Sequence, residues 1–273
     1  MGKLDNKIAI VSGAGRGIGQ ATAIKLAGEG ARVVVNDLDE GPAKDTVDAI
    51  EAAGGQAVAC VGSVTEDDFA ERFVQTAVDT YGGLDIVVNN AGYTWDTVIQ
   101  KMSDEQWDTI LNLHLRAPFR ILRAAQPVFS RQAKAEAAQG IRVQRRVVNI
   151  SSGAGTDGNA GQANYSSAKA GIIGLTKTLA KEWGRYQVNV NAVAYGWILT
   201  RLTEVPAGRD ALVEVDGRTL PMGINPAVRA QLEAMTPLGR PGTPEEAAGA
   251  VFLLCSPEAD YITGHVLMCD GGF

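Results

Sequence analysis

Residues 8–38, IAIVSGAGRGIGQATAIKLAGEGARVVVNDL, contain the pattern that decides the fold of this 273-residue chain. An apolar run ends at Val11, a glycine-rich turn occupies 12–19, a helical segment follows, and a second apolar run leads to Asp37. Glycines permit a tight turn that a pyrophosphate can approach closely, and the free N–H groups at the start of the helix attract its charge. The order strand, turn, helix, strand therefore predicts a dinucleotide site.

The rest of the chain continues this alternation of short apolar runs and segments with helical periodicity. Runs that are apolar on both faces indicate a parallel sheet covered by helices on both sides. We therefore predict an α/β fold, a Rossmann-like doubly wound parallel sheet that forms a single domain over residues 1–273. Its strands are predicted at 8–11, 32–35, 57–61, 84–88, 146–150, 188–193 and 266–268.

Local signals predict where helices begin and where the pattern breaks. Ser103 and Thr243 are each followed three residues later by a side chain that can close a capping box, which predicts two helix starts. Pro118 and Pro127 predict a kink or a break in the long helix after Ser103. Five prolines fall between about 200 and 242, which predicts an irregular substrate loop or lid there.

Composition excludes several classes of function. A formal net charge of −6 argues against nucleic acid as a partner, and the basic run 142–146 is expected to be a solvated loop. The three cysteines and two histidines form no metal-ligand pattern, so no metal is predicted. No apolar run approaches the roughly 18 residues of a membrane span. The first residues run directly into a strand and leave no room for a signal peptide, so a cytoplasmic protein without a membrane partner is expected.

Asp37 predicts which dinucleotide is preferred. A carboxylate at the end of the second strand can accept hydrogen bonds from the ribose hydroxyls of the adenosine and would repel a 2′-phosphate, which favours NAD over NADP. Arg16 keeps NADP possible, because a guanidinium in the turn could pair with a 2′-phosphate. Alternatively, Arg16 is solvated or pairs with Asp37.

Tyr165 and Lys169 are spaced i, i+4 on a predicted helix and share one face. A nearby ammonium and an oxidised nicotinamide would both favour the phenolate, and the phenol could return the proton to a ketone oxygen. Ser151 and Ser152 end a predicted strand, where a hydroxyl could hold the substrate oxygen. The pattern predicts hydride transfer between a nicotinamide cofactor and an alcohol or ketone.

The chain resembles the short-chain dehydrogenase/reductase family over nearly its whole length. The motifs that carry the resemblance are the 12–19 turn, Asn89-Asn90-Ala91-Gly92, Ser152, Tyr165, Lys169 and Asp270-Gly271-Gly272. The resemblance implies a seven-stranded sheet and a homotetramer or homodimer. It also implies that Ser152 orients the substrate, Tyr165 is the acid/base, and Lys169 binds the nicotinamide ribose and lowers the tyrosine pKa. The predicted cofactor contacts are Ser12, Gly13, Gly15, Arg16, Gly17, Ile18, Gly19, Asp37, Leu38, Ser63, Val64, Asn90, Ala91, Gly92, Tyr165, Lys169, Gly196, Ile198 and Thr200.

Three positions depart from the family pattern. His114 stands where the family has an asparagine that supports a proton relay, so His114 is a candidate catalytic relay or a packed core residue. Ser63 replaces a common aspartate near the adenine. Tyr195 replaces a common proline in the nicotinamide loop, and it could contact the substrate.

The motifs 36–38, 114–116 and 158–165 resemble one branch of the family, the (3R)-hydroxyacyl-CoA dehydrogenases and related 3-oxoacyl reductases. That resemblance implies a small-molecule substrate, a 3-hydroxyacyl or 3-oxoacyl thioester, with NAD preferred. The alternatives are a dehydrogenase of a cyclic or steroid-like alcohol, an NADPH-dependent 3-oxoacyl reductase, and a non-catalytic dinucleotide sensor.

Overall fold

Seven parallel strands form the central sheet of the protein. The structure, a computed structural model, describes residues 2–201, 203–204, 212–215, 217–221 and 223–273. The described part of the chain contains the strands β1 (Ile8–Val11), β2 (Arg32–Asp37), β3 (Gln56–Val61), β4 (Ile86–Asn89), β5 (Arg145–Ser152), β6 (Val188–Tyr195), β7 (Leu212–Val215), β8 (Arg218–Pro221) and β9 (Val266–Cys269). The central sheet has the order β3-β2-β1-β4-β5-β6-β9. The order reverses between β1 and β4, so the crevice for a ligand is expected beyond their carboxyl ends.

Helices cover both faces of this sheet. They are α1 (Gly17–Gly28), α2 (Glu40–Ala52), α3 (Phe69–Tyr81), α4 (Asp104–Leu111), α5 (Ala117–Ala137), α6 (Gly153–Thr156), α7 (Ala163–Trp183), α8 (Pro226–Met235) and α9 (Pro244–Cys255). One apolar core packs α3, α5 and α7 on the sheet, and a second packs α1, α2 and α9 on the opposite face. The doubly wound α/β fold is therefore confirmed. Within the described residues, no helix is both long and apolar enough to cross a membrane.

The predicted capping boxes are both present, at Ser103 and at Thr243. The chain between α4 and α5 forms a π-helical turn at Asn112–Arg116, and Pro118 follows it in the first turn of α5. Proline offers no N–H and its ring crowds the carbonyl four residues earlier, so a widened turn accommodates it. Pro127 does not end α5, which continues to Ala137.

Parts of the stretch 200–242 form regular secondary structure. Strands β7 and β8 form an antiparallel hairpin, and the Asn225 side chain caps α8 by accepting from the Val228 N–H at 2.9 Å. The prediction of an irregular stretch is wrong for these residues. Pro226 occupies the first position of a helix, where proline is well tolerated, so it starts an element instead of breaking one.

The basic run 142–146 is not a solvated loop throughout, and that prediction is wrong for its last two residues. Arg145 is 1% exposed and donates to Glu136 Oε2 at 2.9 Å. Arg146 pairs with Asp260 and donates to Asn189 Oδ1 at 3.0 Å. Buried guanidinium groups require such partners, and here they come from α5, β6 and the segment after α9.

Candidate active site

The glycine-rich turn and the chain after β4 form one hydrogen-bonded unit. Ser12 Oγ accepts from the N–H groups of Asn90 at 3.0 Å and Ala91 at 3.1 Å. The Asn90 side chain donates to the carbonyls of Ser12 and Gly13, both at 3.0 Å. Gly13 has φ of 60°, and a Cβ there would lie 2.7 Å from Ala91 Cα. This approach requires glycine and fixes the turn against the end of β4.

The start of α1 fits a pyrophosphate. Among the described residues no side chain caps this helix at Arg16, so the N–H groups of its first turn remain available to a phosphate. A Cβ on Gly19 would lie 2.0 Å from the Gly13 carbonyl oxygen, so only glycine allows the helix to start this close to the turn. The residues present therefore fit the dinucleotide that the sequence predicts.

Asp37 lies directly at this turn. Its Oδ2 accepts from the Gly15 N–H at 2.9 Å, and its Oδ1 accepts from the Asp39 N–H at 3.2 Å. Arg16 forms an ion pair with Asp39 at 2.9 Å. The suggested pairing of Arg16 with Asp37 is corrected, because Asp37 is held by backbone donors and the guanidinium reaches the next carboxylate instead.

Hydrogen bonds also hold the chain after β3, which contains the predicted cofactor residues Ser63 and Val64. The Gly62 N–H donates to the Asp37 carbonyl at 3.0 Å, so the chain after β3 is held against the end of β2. Ser63 Oγ bonds to Thr65 Oγ1 at 2.8 Å.

The loop after β6 approaches the turn from the other side. A Cβ on Gly17 would lie 3.7 Å from the methyl group of Thr200. Ile198 forms a bridge with Gly242, and the Gly196 N–H donates to the Cys269 carbonyl at 3.2 Å. The predicted nicotinamide loop is thereby anchored next to the predicted phosphate turn.

Ser152, Tyr165 and Lys169 meet at the carboxyl end of β5. Lys169 is 4% exposed, its Nζ donates to the Ile150 carbonyl at 2.7 Å, and Nζ lies 5.5 Å from the centre of the Tyr165 ring. Ser152 ends β5, and its Oγ accepts from the Ala154 N–H at 3.2 Å. The structure thus brings together the three residues that the sequence predicts for acid/base chemistry.

Burial determines the protonation states of this site. Burial raises the pKa of Tyr165 to about 12, against a lowering effect of its hydrogen bond with Ser152. Burial lowers the pKa of Lys169 to about 7. The expected depression of the tyrosine pKa is therefore not produced by the protein groups alone. At neutral pH Tyr165 is the protonated phenol, which is the form that donates a proton to a carbonyl oxygen.

His114 lies in the π-helical turn and packs against Tyr165. It is 3% exposed, with a ring centroid 5.0 Å from that of Tyr165 and an interplanar angle of 89°. His114 Nε2 bonds to the Tyr93 carbonyl at 2.8 Å, and a carbonyl only accepts, so Nε2 carries the proton. Within the described part of the chain, Nδ1 has no hydrogen-bond partner. Burial and the charge of Lys169 hold the His114 pKa well below its ordinary value.

The sequence did not indicate Trp95 and Asp96, which follow β4 beside the site. Asp96 Oδ2 accepts from the Gln162 side chain at 2.7 Å, and its charge acts on Tyr165. No periodicity or motif marks the segment 93–98, so no sequence signal could have identified them. Tyr195 was suggested as a residue that could contact the substrate, and this is wrong: it is buried and its hydroxyl donates to the Ala247 carbonyl at 2.8 Å.

Replacing Lys169 with methionine should stabilise the cofactor-free protein, more at low pH than at high pH. The pKa of Lys169 falls from 10.5 to about 7 on folding, so the cost of the buried ammonium is complete below about pH 7 and declines as the pH rises toward 10.5. We expect a gain in unfolding free energy of up to about 5 kcal/mol near pH 6 and about 2 kcal/mol near pH 9.

Urea unfolding of the cofactor-free protein measures both values. Lys177→Met, on the exposed face of the same helix, is the control and should change little at either pH. A stabilisation by Lys169→Met that is the same at both pH values would contradict the burial of a charge at this position.

Comparisons with known proteins agree with this geometry. Residues 13–273 match the family described as Enoyl-(Acyl carrier protein) reductase, adh_short_C2. The chain is 40% identical over 274 residues to a 3-oxoacyl-(acyl-carrier-protein) reductase of Synechocystis sp., covering 100% of this chain and 98% of that protein. It is 36% identical over 270 residues to the 3-oxoacyl-(acyl-carrier-protein) reductase FabG of Thermotoga maritima, covering 99% and 98%.

It is also 39% identical over 265 residues to the short-chain reductase protein NovJ of Streptomyces niveus, covering 97% of this chain and 93% of that protein. These matches extend across both the dinucleotide turn and the Tyr165 site. The resemblance seen in the sequence is confirmed: the chain belongs to the short-chain dehydrogenase/reductase family and is a nicotinamide-dependent oxidoreductase.

Proposed function

We propose that this protein reduces the ketone of a 3-oxoacyl thioester and oxidises the 3-hydroxyacyl thioester in the reverse direction. The observation that carries the proposal is the meeting of Ser152, Tyr165 and Lys169 beside a cradle for a dinucleotide. Similar proteins named as 3-oxoacyl reductases support the choice of substrate. The complete set of three catalytic side chains argues against a non-catalytic dinucleotide sensor.

The side chains divide the chemistry among them. A bound nicotinamide cofactor supplies or accepts the hydride at the substrate carbon. Ser152 and Tyr165 bind the substrate oxygen, and Tyr165 donates its proton to that oxygen as negative charge develops there. Lys169, held by the Ile150 carbonyl, binds the nicotinamide ribose and stabilises the phenolate that remains on Tyr165. At neutral pH the raised pKa of Tyr165 keeps on the phenol the proton that reduction of a ketone requires.

Asp37 supports a preference for NAD. Its carboxylate is fixed by two backbone N–H groups at the place where the ribose hydroxyls are expected. A 2′-phosphate about 4 Å away would be repelled by on the order of 4 kcal/mol per charge pair at an effective dielectric near 20. Arg16 is occupied by Asp39, although that pair is partly exposed and therefore weak, so NADP remains a possible cofactor.

Initial rates of acetoacetyl-CoA reduction, measured with NADH and NADPH at equal concentration, test substrate and cofactor together. We expect turnover with NADH to be faster. Asp37→Ser should change the ratio of kcat/KM values toward NADPH by at least about tenfold, because it removes the repulsion. Asp45→Asn, on the exposed surface of α2, is the matched control.

Two other results would each contradict one part of the proposal, the cofactor or the substrate. Turnover with NADPH alone would contradict the role of Asp37 and favour an NADPH-dependent 3-oxoacyl reductase. Absence of turnover with either cofactor, when both bind, would contradict the thioester substrate, and oxidation of cyclic secondary alcohols would then be measured.

We propose that residues 1–273 act as one catalytic domain and that the stretch 200–242 serves as its substrate lid. Arg218 in β8 lies over the Trp95 ring, 5.5 Å from its centroid, and pairs with Glu105 at 3.3 Å. These contacts support a hairpin that lies across the substrate side of the crevice. Of the loop predicted at about 200–242, residues 202, 205–211, 216 and 222 lie outside the described residues.

We further propose that His114 is a positioning residue for Tyr165. The Tyr93 carbonyl fixes one side of the imidazole through a hydrogen bond. Gly92 packs so closely against the ring that a Cβ at this position would lie 2.1 Å from His114 Cε1. A ring held this firmly packs in an edge-to-face arrangement with Tyr165 and limits where the phenol can point. Its depressed pKa keeps it neutral, which favours positioning over relay by an imidazolium.

His114→Leu should lower kcat by about tenfold with little change in KM, because it displaces the phenol without removing a binding group. His114→Asn, the residue type usual in the family, should recover part of the loss. The pH profile of kcat distinguishes the two roles. An ionisation near neutrality that is present in the wild type and absent from His114→Leu would establish relay and overturn positioning.

The proposed function also includes an oligomeric state and a cellular location. We propose a homotetramer or homodimer built on the helices within 103–135 and 162–183, where exposed Phe119 offers an apolar contact. The three cysteines are free, which suits a reducing, cytoplasmic environment.

A further inference from the structure

A basic cleft lies at the end of the central sheet opposite to Tyr165. Its volume is about 250 Å³, and its walls come from the chain before β1, the starts of β4 and β5, and the residues after α9. The strands are parallel, so this is the edge of their amino ends, whereas Ser152 lies at a carboxyl end. We call this cavity the rear cleft, and its polar lining consists of Lys3, Lys7, Arg142, Gln144, Arg146 and Asp260.

Two of the four cations in the rear cleft are already neutralised. Lys3 Nζ contacts Glu258 Oε1 at 2.5 Å. Arg146 pairs with Asp260 and also donates to Asn189 Oδ1. These pairs use the carboxylates of the segment after α9.

The other two cations, Lys7 and Arg142, have no carboxylate partner in the part of the chain that the structure describes. Lys7 Nζ makes a single long contact, 3.4 Å, with the Gln144 carbonyl. Arg142 has neither an ion pair nor a hydrogen bond with any residue in the described ranges. The cleft therefore holds two positive charges that an anion could neutralise.

The carboxylates nearest to Lys7 are also engaged by other groups. Asp85 Oδ2 is occupied by the Ile8 N–H at 3.0 Å, and its Oδ1 lies 3.7 Å from Arg145 Nε. Glu136 is paired with Arg145. Burial and the charges of Arg145 and Arg146 lower the pKa of Lys7, against the opposing effects of Asp85 and Glu136.

The floor of the cleft contains polar atoms that need a partner. The Arg146 side chain is 5% exposed, and its Nε has no hydrogen-bond partner among the described residues. Gln144 Oε1 is unpartnered in the same way, and rotation of that amide would present an N–H₂ donor instead. A buried donor without an acceptor is unfavourable, so a bound oxyanion would satisfy these groups as well as the charges.

We propose that the rear cleft is an anion site for a phosphate group, either the free ion or the phosphate of a small ester. Guanidinium and ammonium groups are the side chains that bind phosphate best. The two unpaired charges match the charge of a phosphate monoester, about −1.5 to −2 near neutral pH. The site lies away from the crevice, so its ligand does not compete with the substrate.

Thermal unfolding of the full chain in inorganic phosphate, compared with sodium chloride at equal ionic strength, tests this proposal. A saturating ligand should raise Tm by about 2–4 °C. Lys7→Gln and Arg142→Gln should each remove at least about half of that shift, whereas Lys177→Gln should retain it. Arg142 is exposed, so its variant keeps the test valid if Lys7→Gln fails to fold.

A saturating nicotinamide dinucleotide separates the two places where phosphate could bind, because it fills the glycine-rich turn and leaves the rear cleft open. The shift should persist in its presence. Loss of the shift in the saturating dinucleotide together with its retention in Lys7→Gln would overturn the proposal, as would an equal shift in every variant, which indicates an effect on hydration alone.

Calorimetric titration gives an independent result. It should show one saturable site per chain that Lys7→Gln weakens at least about tenfold, and no saturable heat would overturn the proposal. A similar shift with glycerol 3-phosphate would assign the site to phosphate esters, and a shift with inorganic phosphate alone would assign it to the free ion.

Discussion

The hydrogen bonds between the glycine-rich turn and the chain after β4 are the constraint on which the rest of the site depends. Ser12 Oγ accepts from two backbone N–H groups after β4, and Asn90 returns two bonds to the turn. These contacts join the strands at which the sheet order reverses. They fix the predicted pyrophosphate cradle relative to β5, and therefore relative to Ser152. Glycine at position 13 is required because the two segments touch there.

Burial gives the reacting groups their character. The pKa of Tyr165 is raised, and those of Lys169 and His114 are lowered, so each is shifted toward its neutral form. A proton on Tyr165 is then available when charge develops on a substrate oxygen, and little water competes for it. The arrangement reduces the free energy of unfolding, because Lys169 loses its hydration on folding and gains the Ile150 carbonyl as its hydrogen-bond acceptor. Function and stability are therefore opposed at this position.

The parts of the molecule that the sequence predicted depend on short-range patterns. The 12–19 turn, the carboxylate at Asp37 and the i, i+4 pair on α7 each involve residues that are near one another in the chain or at the ends of recognisable strands. Both capping boxes were predicted for the same reason.

The parts that were missed depend on partners far away in the sequence. Tyr195 was expected at the substrate, but its hydroxyl bonds to a carbonyl 52 residues later. Arg146 was expected in solvent, but its carboxylate partner is 114 residues away. Asp96 has no local signal, because its relation to Tyr165 exists only once α7 has packed beside the segment after β4.

In the proposed reaction, Tyr165 transfers the proton that accompanies hydride transfer. Turnover of Tyr165→Phe, with cofactor binding followed by fluorescence in the same samples, tests this most directly, and Tyr261→Phe on the fully exposed surface is the control. We expect a loss of at least about a thousandfold in kcat, with cofactor binding retained. Turnover of Tyr165→Phe at the wild-type rate would contradict it.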